Sequence, residues 1–489
     1  GGNDIFIAKF DRSGEALWAM RAGGPKNFDE GFGITTDYFG NIIVTGRFNG
    51  SVTFGSVSLD SGEKVGFFLA KYDPDGELLW AVQGAGEGYG VAASLQGAIY
   101  LAGGIPGGIF VYRYDSNGNL IWQQYGQSAG TAYATAITLD PSGGILMTGR
   151  FTGNLGFEKM GLAGSIDYNM FLLKYHESGE LLWAQKADYA NGAGVGCDGQ
   201  NNVYVTGWFQ GQTPFGDIVL NSKRPNMFIA KYDHSGNVVW AKPMRATDDT
   251  YGRGIATDIN GNSFVAGEFV GTLIFDGAKL HGPGMFIVKY DASGNALWAQ
   301  KVRGTSNVMG LGVAVDSTGN PAVTGSFYQN VDFGFINMKT AGGTDGFVAY
   351  ISKDGCSPLP SAHAFGRIID GDHSHVEEVC YTFAGQTGDL NLLYQVYDID
   401  MPAEVKVFLN GVHIHNEKTT NDSSWSDTRV LLLEDALVHD SGLNEIRFVN
   451  AENVKHSVKR YWGVRAVSVA RCIPLPFAAE VGYLVRKGR

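Results

Sequence analysis

The 489 residues carry a formal net charge of -12, with 18% charged residues and 70 glycines, about twice the usual ~7% share of glycine. Without clustered Lys and Arg, such an acidic chain excludes a phosphate-tracking nucleic-acid partner. The glycine excess points to many short strands joined by tight turns, because Gly supplies the positive φ that those turns need. The chain opens on Gly rather than Met and no stretch reads as a signal peptide, so a removed leader or a truncated start stays open.

In chain order, one element recurs: KFDRSGEALW (9–18), KYDPDGELLW (71–80), RYDSNGNLIW (113–122), KYHESGELLW (174–183), KYDHSGNVVW (231–240) and KYDASGNALW (289–298). A seventh copy, YISKDG at 350–355, lacks the Trp. A second element, as in GITTDYFGNIIVTGRF (33–48) and GIATDINGNSFVAGEF (254–269), occurs six times between them. Each period of about 40 to 60 residues holds four short apolar runs, A (GIAT), B (SFVAGEF), C (MFIAKY) and D (VVWA), the content of one propeller blade. Val-, Ile-, Phe- and Tyr-rich runs bounded by Gly, Asn and Asp read as strands. Residues 88–112 lack charge over a membrane-spanning length, but they fall in register with the repeats and are read as strands of a blade.

Asp-x-x-Gly falls where A reverses into B and where C reverses into D, as tight turns require. The Trp four residues after the C–D Gly then lies in strand D, filling the wedge between blades. Calcium at Asp-rich copies such as Asp73 and Asp75 is the chemical alternative to this turn reading. Seven C strands against six A–B pairs leave two closures. The count favours seven blades, with two strands of one preceding Gly1; the other closure is six blades with paired termini.

Strand direction alternates, so the near-constant A–B and C–D turns share one face and the variable B–C and D–A connections share the other. Just after the B-strand TG or AG, one structural position holds Arg47, Arg150, Trp208, Glu268 and Ser326. Arg47 and Arg150 suit a carboxylate or sulfate, and Trp208 suits a sugar ring. Glu268 with Asp248 or Asp249 would be the acid–base pair of a glycosidase, subject to their separation. The plain alternative is a solvated rim of inter-blade ion pairs.

Through F-[IL]-x-K-Y-D-x-x-G-x-x-x-W and G-I-x-x-D-x-x-G-N-x-x-V-T-G, residues 1 to about 355 resemble the bacterial seven-bladed beta-propeller repeat family (SBBP-like), which implies an all-β propeller over 1–355. After SPLPSA (357–362) the repeat stops and strand-like segments follow, with Asn410-Gly411 as a hairpin turn; they indicate an antiparallel β-sandwich over 356–489. Cys356 and Cys472 bracket it and are the expected disulfide, which would imply an oxidising compartment. Cys197, alone in the repeats, reads as a small buried residue.

The order YDIDMPAEVKVFLNG, SWS, SGLNEIRFVN, WGVRAVSV resembles galactose-binding-like jelly-roll modules of secreted bacterial proteins. That resemblance implies sugar binding and structural calcium on Asp398, Asp400 and Glu404, with Trp425 and Tyr461 as stacking residues. No Walker loop, catalytic triad order, zinc-protease helix or dinucleotide motif occurs, and no organic cofactor is expected. The function expected is a secreted or cell-surface binding or adhesion protein for polysaccharide or a partner protein, without a membrane span. Its alternatives are a polysaccharide lyase or glycosidase using the propeller, and a structural subunit of an extracellular assembly.

Overall fold

A computed structural model of the chain describes residues 4–11, 16–24, 28–275, 278–316, 319–332 and 337–351. Beyond these it describes strands at 363–365, 378–384, 390–397, 405–409, 412–416, 429–433, 443–450 and 463–470. They fall into two units, which divide between Tyr350 and Ile351.

The first unit is a β-propeller. It opens on a C–D pair, β1 (Ile5–Phe10) and β2 (Ala16–Ala22). Blade 1 is β3 (Glu30–Thr36), β4 (Ile42–Phe54), β5 (Val57–Tyr72) and β6 (Leu78–Ala85); blade 2 is β7 (Glu87–Ala93), β8 (Ile99–Ile105), β9 (Gly108–Tyr114) and β10 (Leu120–Ser128). Blade 3 starts with β11 (Ala132–Leu139) and β12 (Ile145–Phe151). Its B–C connection is a hairpin, β13 (Asn154–Gly156) with β14 (Gly161–Ala163), that extends the sheet of blade 2 through β10. Strands β15 (Asn169–Tyr175) and β16 (Leu181–Asp188) complete blade 3.

Blade 4 is β17 (Ala190–Cys197), β18 (Val203–Phe215), β19 (Ile218–Tyr232) and β20 (Val238–Pro243). Blade 5 is β21 (Thr250–Thr257), β22 (Ser263–Phe269), the hairpin β23 (Thr272–Phe275) and β24 (Ala278–His281), β25 (Gly284–Tyr290) and β26 (Ala296–Val315). The far end of β26 runs on as strand A of blade 6, which continues in β27 (Pro321–Asp332) and β28 (Asn337–Tyr350). Six blades therefore present A, B and C strands among the described residues. The seventh C strand, β1, stands ahead of blade 1 with only its D partner, β2.

These strands form because both faces of each sheet meet a neighbouring sheet, so period-two alternation gives way to unbroken apolar runs. In β15 all seven residues are buried. Ile43, Phe67 and Leu69 of blade 1 pack with Val91, Leu101 and Phe110 of blade 2, and similar clusters close the interfaces that follow. Residues 88–112 supply β7, β8 and most of β9, and no helix among the described residues is long and apolar enough to cross a membrane.

The turns are closed by their own aspartates. Asp73 Oδ1 accepts the backbone N–H of Asp75 at 2.9 Å and of Glu77 at 2.8 Å, while Gly76 sits at φ +91°. Asp37 holds Phe39 and Asn41 in the same way. The cation and Trp of the first five repeats then reach the next blade. Lys71 Nζ and Trp80 Nε1 donate to Ser116 O in the C–D turn of blade 2, at 3.3 and 3.1 Å. Lys9 and Trp18 do the same to Pro74 O, Lys174 and Trp183 to His234 O, and Lys231 and Trp240 to Ala292 O. In RYDSNGNLIW, Arg113 replaces the Lys and joins Trp122 on Glu177 O. A Cβ built on Gly118 of the blade 2 turn would lie 2.9 Å from the Trp80 ring, so glycine there serves both the positive φ and the flat Trp contact.

In the second unit the strands pair antiparallel in two sheets. One is β29 (His363–Phe365), β30 (Glu378–Ala384), β35 (Leu443–Asn450), β32 (Val405–Leu409) and β33 (Val412–Asn416), in that order. The other is β34 (Arg429–Leu433), β31 (Leu390–Tyr397) and β36 (Gly463–Ala470).

Candidate functional site

Each A strand breaks its ladder with B at the same place. Gly31 and Gly33 face Gly46 and Thr45, leaving Phe32 as an extra residue. The same bulge occurs at Tyr89, Thr135, Ala193, Arg253 and Leu311. Bulges re-aim side chains, and consecutive A strands pack on one another around the axis. The bulge residues therefore gather on the inner strands, towards the variable-loop face. In sequence they are the x of GFG, GYG, ATA, GAG, GRG and GLG. The small flanking residues are shared and the middle one differs, a signal that reading the B-strand position alone missed.

The bulge residues, their strand neighbours and the B-strand positions form an arc of aromatic rings and guanidinium groups. Phe32 stacks on Tyr89 at 5.2 Å, and Tyr89 meets Tyr133 edge-on at 6.0 Å. Arg150 lies between Tyr133 and Tyr168, its guanidinium carbon 5.1 and 5.0 Å from the two ring centres. Tyr168, carried by the B–C loop of blade 3, meets Trp208, which in turn meets Tyr251 at 5.9 Å. Arg253 covers the Tyr251 ring at 5.2 Å.

The four B-strand candidates differ in freedom. Arg47 bridges two blades: its Nη2 lies 2.6 Å from Glu30 Oε2 and its Nη1 2.7 Å from Glu87 Oε1. Those carboxylates, Glu87 foremost, raise the guanidinium further above its ordinary pKa against the opposing effect of burial. Tyr89 hydrogen-bonds Glu87, and burial first, then that carboxylate, pushes its phenol up. Glu268 is held by Arg253 through Nε at 3.2 Å and through a close Nη2 contact. Asp248 pairs with Arg224 at 2.6 Å, and Asp249 lies 3.8 Å from the same group. The three carboxylates expected to form an acid–base pair are thus divided between two arginines. Arg150 has no carboxylate partner among the described residues; only ring faces hold it.

Cys197 is half-buried with Sγ 3.2 Å from Leu139 O, and burial pushes its thiol up to about 12. The candidates Asp398, Asp400, Glu404, Trp425, Tyr461, Cys356 and Cys472 lie outside the described residues.

Residues 245–268, spanning the A–B pair of blade 5, match the family model for the SBBP beta-propeller repeat. The chain is 26% identical over 390 residues to the uncharacterized WD repeat-containing protein L264 of Acanthamoeba polyphaga mimivirus. That alignment takes in 66% of this chain and 26% of the relative, so the match spans about a quarter of the relative's length. Among solved structures, a luciferin-regenerating enzyme aligns at 14% identity over 60% of this chain and 83% of its own, with a TM-score of 0.33. The Pan2 WD40 domain of Neurospora crassa aligns at 10% identity over 62% and 86%, with a TM-score of 0.34. At TM-scores this low no function is taken from either. Residues 245–268 thus carry a beta-propeller repeat of the SBBP type, and the described residues of the first unit form a β-propeller in which six blades present A, B and C strands.

Proposed function

We propose that the protein is a binding module whose recognition surface is the arc from Arg150 through Tyr168 and Trp208 to Tyr251, on the face where the repeats differ. The ligand classes are a polysaccharide or a partner protein, met at the cell surface or outside the cell. One observation carries this reading: a guanidinium clamped between two tyrosines, without a carboxylate among the described residues to neutralise it, beside a half-buried Trp. Clamping removes rotamer freedom before binding, and Arg, Tyr and Trp are the residues that dominate hot spots. An anionic sugar or an acidic side chain would meet the guanidinium, and a pyranose face or an apolar side chain would meet the rings.

Similarity to a WD repeat-containing relative supports a protein partner; the resemblance of the C-terminal unit to jelly-roll modules supports a sugar. An acid–base mechanism is not favoured, since Arg253 holds Glu268 and Arg224 holds Asp248. The test is a glycan array and a panel of surface proteins probed with the whole chain, with and without chelator. Arg150→Ala and Trp208→Ala each remove a hot-spot anchor worth about 2 kcal/mol, roughly 30-fold in affinity. Ligands that ignore both substitutions overturn the assignment. A chelator effect that leaves both substitutions silent would move recognition to the C-terminal unit.

A further inference from the structure

Five of the six A–B turns open on an aspartate, Asp37, Asp140, Asp198, Asp258 and Asp316, whereas blade 2 has Ser94 there. Four residues on, blades 1, 4, 5 and 6 have an Asn and blade 2 has Ala98. The aspartate answers the cation of strand C in the same blade. Lys71 lies 2.9 Å from Asp37, Lys174 2.8 Å from Asp140 and Lys231 3.7 Å from Asp198. Each of these lysines also donates to the C–D turn of the next blade. Arg113 of blade 2 keeps only that second bond, from Nη1 to Glu177 O at 3.0 Å. It has no carboxylate partner among the described residues, and its Nε is buried without an acceptor.

Blade 4 shows what is missing, because its cross-strand pair Tyr204–Lys231 matches Tyr100–Arg113 in register. There the Tyr204 hydroxyl donates to Asp198 Oδ2 at 3.1 Å and the Asn202 amide to the same oxygen at 2.8 Å. Asp198 Oδ1 accepts the backbone N–H groups of Gln200 and Asn202, both at 2.9 Å. In blade 2, Tyr100 is only 2% exposed and Arg113 covers its ring at 5.9 Å, but its hydroxyl has no hydrogen-bond partner among the described residues. Ser94 Oγ accepts the Ala98 N–H at 3.1 Å, which leaves the Gln96 N–H without the side-chain acceptor that its counterpart Gln200 has. Ser94 and Ala98 also clear more side chain than the longer Arg113 adds. The donors of the carboxylate site are thus kept while the carboxylate and the amide beside it are gone. Burial foremost raises the Tyr100 phenol, Arg113 opposes the rise and Glu177 adds to it. Glu177 is exposed and its carboxylate does not come within ion-pair distance of Arg113.

We propose that this slot in blade 2, on the face opposite the recognition arc, binds a small free carboxylate the size of formate or acetate. Arg113 Nε, the Tyr100 hydroxyl and the Gln96 N–H donate to its oxygens, in the place that an aspartate fills in the sister blades. An ammonium suffices where the carboxylate is tethered beside it. The planar fork of a guanidinium orients one that arrives from solution.

The probe is trifluoroacetate, titrated into the whole chain at constant ionic strength and read by its fluorine NMR line width, with formate, acetate and chloride as competitors. Saturable broadening is expected, reversed by formate and acetate at lower concentration than by chloride. It should persist in R150A, which removes a second guanidinium without a carboxylate partner. S94D supplies the tethered carboxylate and should weaken trifluoroacetate at least about tenfold, the worth of one charge-assisted hydrogen bond, with a melting temperature equal to or above that of the unmodified chain. R113M should abolish saturation, but it also cuts the bond to Glu177 O, so S94D is the deciding variant. E177Q should leave the affinity unchanged or raise it. Broadening that never saturates, that every salt reverses equally, or that ignores S94D overturns the proposal. Saturation seen only in E177Q would also overturn it, by making Glu177 the occupant of the slot.

Discussion

Replacing Lys71 by Met tests the latch that joins turns, strands and blades. Its ammonium lies 2.9 Å from Asp37 Oδ2, and the two side chains are 5% and 2% exposed, so the discount that applies to surface pairs does not apply here. Breaking a buried pair by removing one partner costs about 3–5 kcal/mol. Asp37 keeps two backbone donors on Oδ1 and the Asn41 amide on Oδ2 at 2.8 Å, which places K71M near the lower end, about 3 kcal/mol.

A propeller this large need not unfold in two states, so the assay is amide exchange at Gly40 and Asn41, whose N–H groups bond to Asp37. At 1.4 kcal/mol per tenfold, the expected loss of protection is about 150-fold. Adding Asp37→Asn removes the stranded charge and should restore at least half of the loss in free energy. Burial raises the Asp37 carboxyl, but Asn41 and Lys71 together hold it below its ordinary value. The contribution of this group is therefore present above the unfolded carboxylate pKa of about 3.9 and is lost as pH falls through the lower folded value. In K71M the carboxyl loses the ammonium that favours its charged form, so it protonates at a higher pH than in the unmodified chain, and the deficit should shrink as pH falls into the carboxylate range. A loss below tenfold at neutral pH, or no recovery in the double variant, would refute the reasoning.

Three further outcomes are expected. Gly118→Ala, at φ +85° with its Cβ 2.9 Å from the Trp80 ring, should destabilise by at least about 1–2 kcal/mol, read as a lower melting temperature; an unchanged value would deny the glycine its double role. Trp183→Phe keeps a ring beside Gly236 but loses the bond to His234 O at 3.2 Å, and should cost only about 1 kcal/mol. The Cys197 thiol, pushed up to about 12 by burial, should resist a thiol reagent at about pH 8 in the folded protein and react once guanidinium chloride unfolds it.

The blade framework was legible because each repeat restates it. Asp-x-x-Gly marks the turns, and the spacing from Gly to Trp puts an indole on the neighbouring turn, as Trp80 on Gly118 shows. The partner of Lys71 was not legible, because Asp37 lies two strands away and only the folded ladder brings them together. At the site, the B-strand position picked out Arg47, Arg150, Trp208 and Glu268, but gave no means of separating paired from unpaired charges. Glu30 and Glu87, which hold Arg47 between two blades, belong to the A strands. The bulge residues escaped notice because a bulge is a matter of ladder register, which composition does not encode. Tyr168, half of the clamp on Arg150, lies in the B–C loop, where repeats share no pattern to compare.

The most direct test of the account is the affinity of the R150A/W208A double variant for whatever the unmodified chain captures from the glycan array and protein panel. Loss of both anchors should weaken each captured ligand at least 30-fold while leaving the fold and the Trp latches unchanged. Ligands retained at full affinity by the double variant, but lost on substitution in the C–D turns of the opposite face, would place recognition on the wrong side of the propeller and contradict the account.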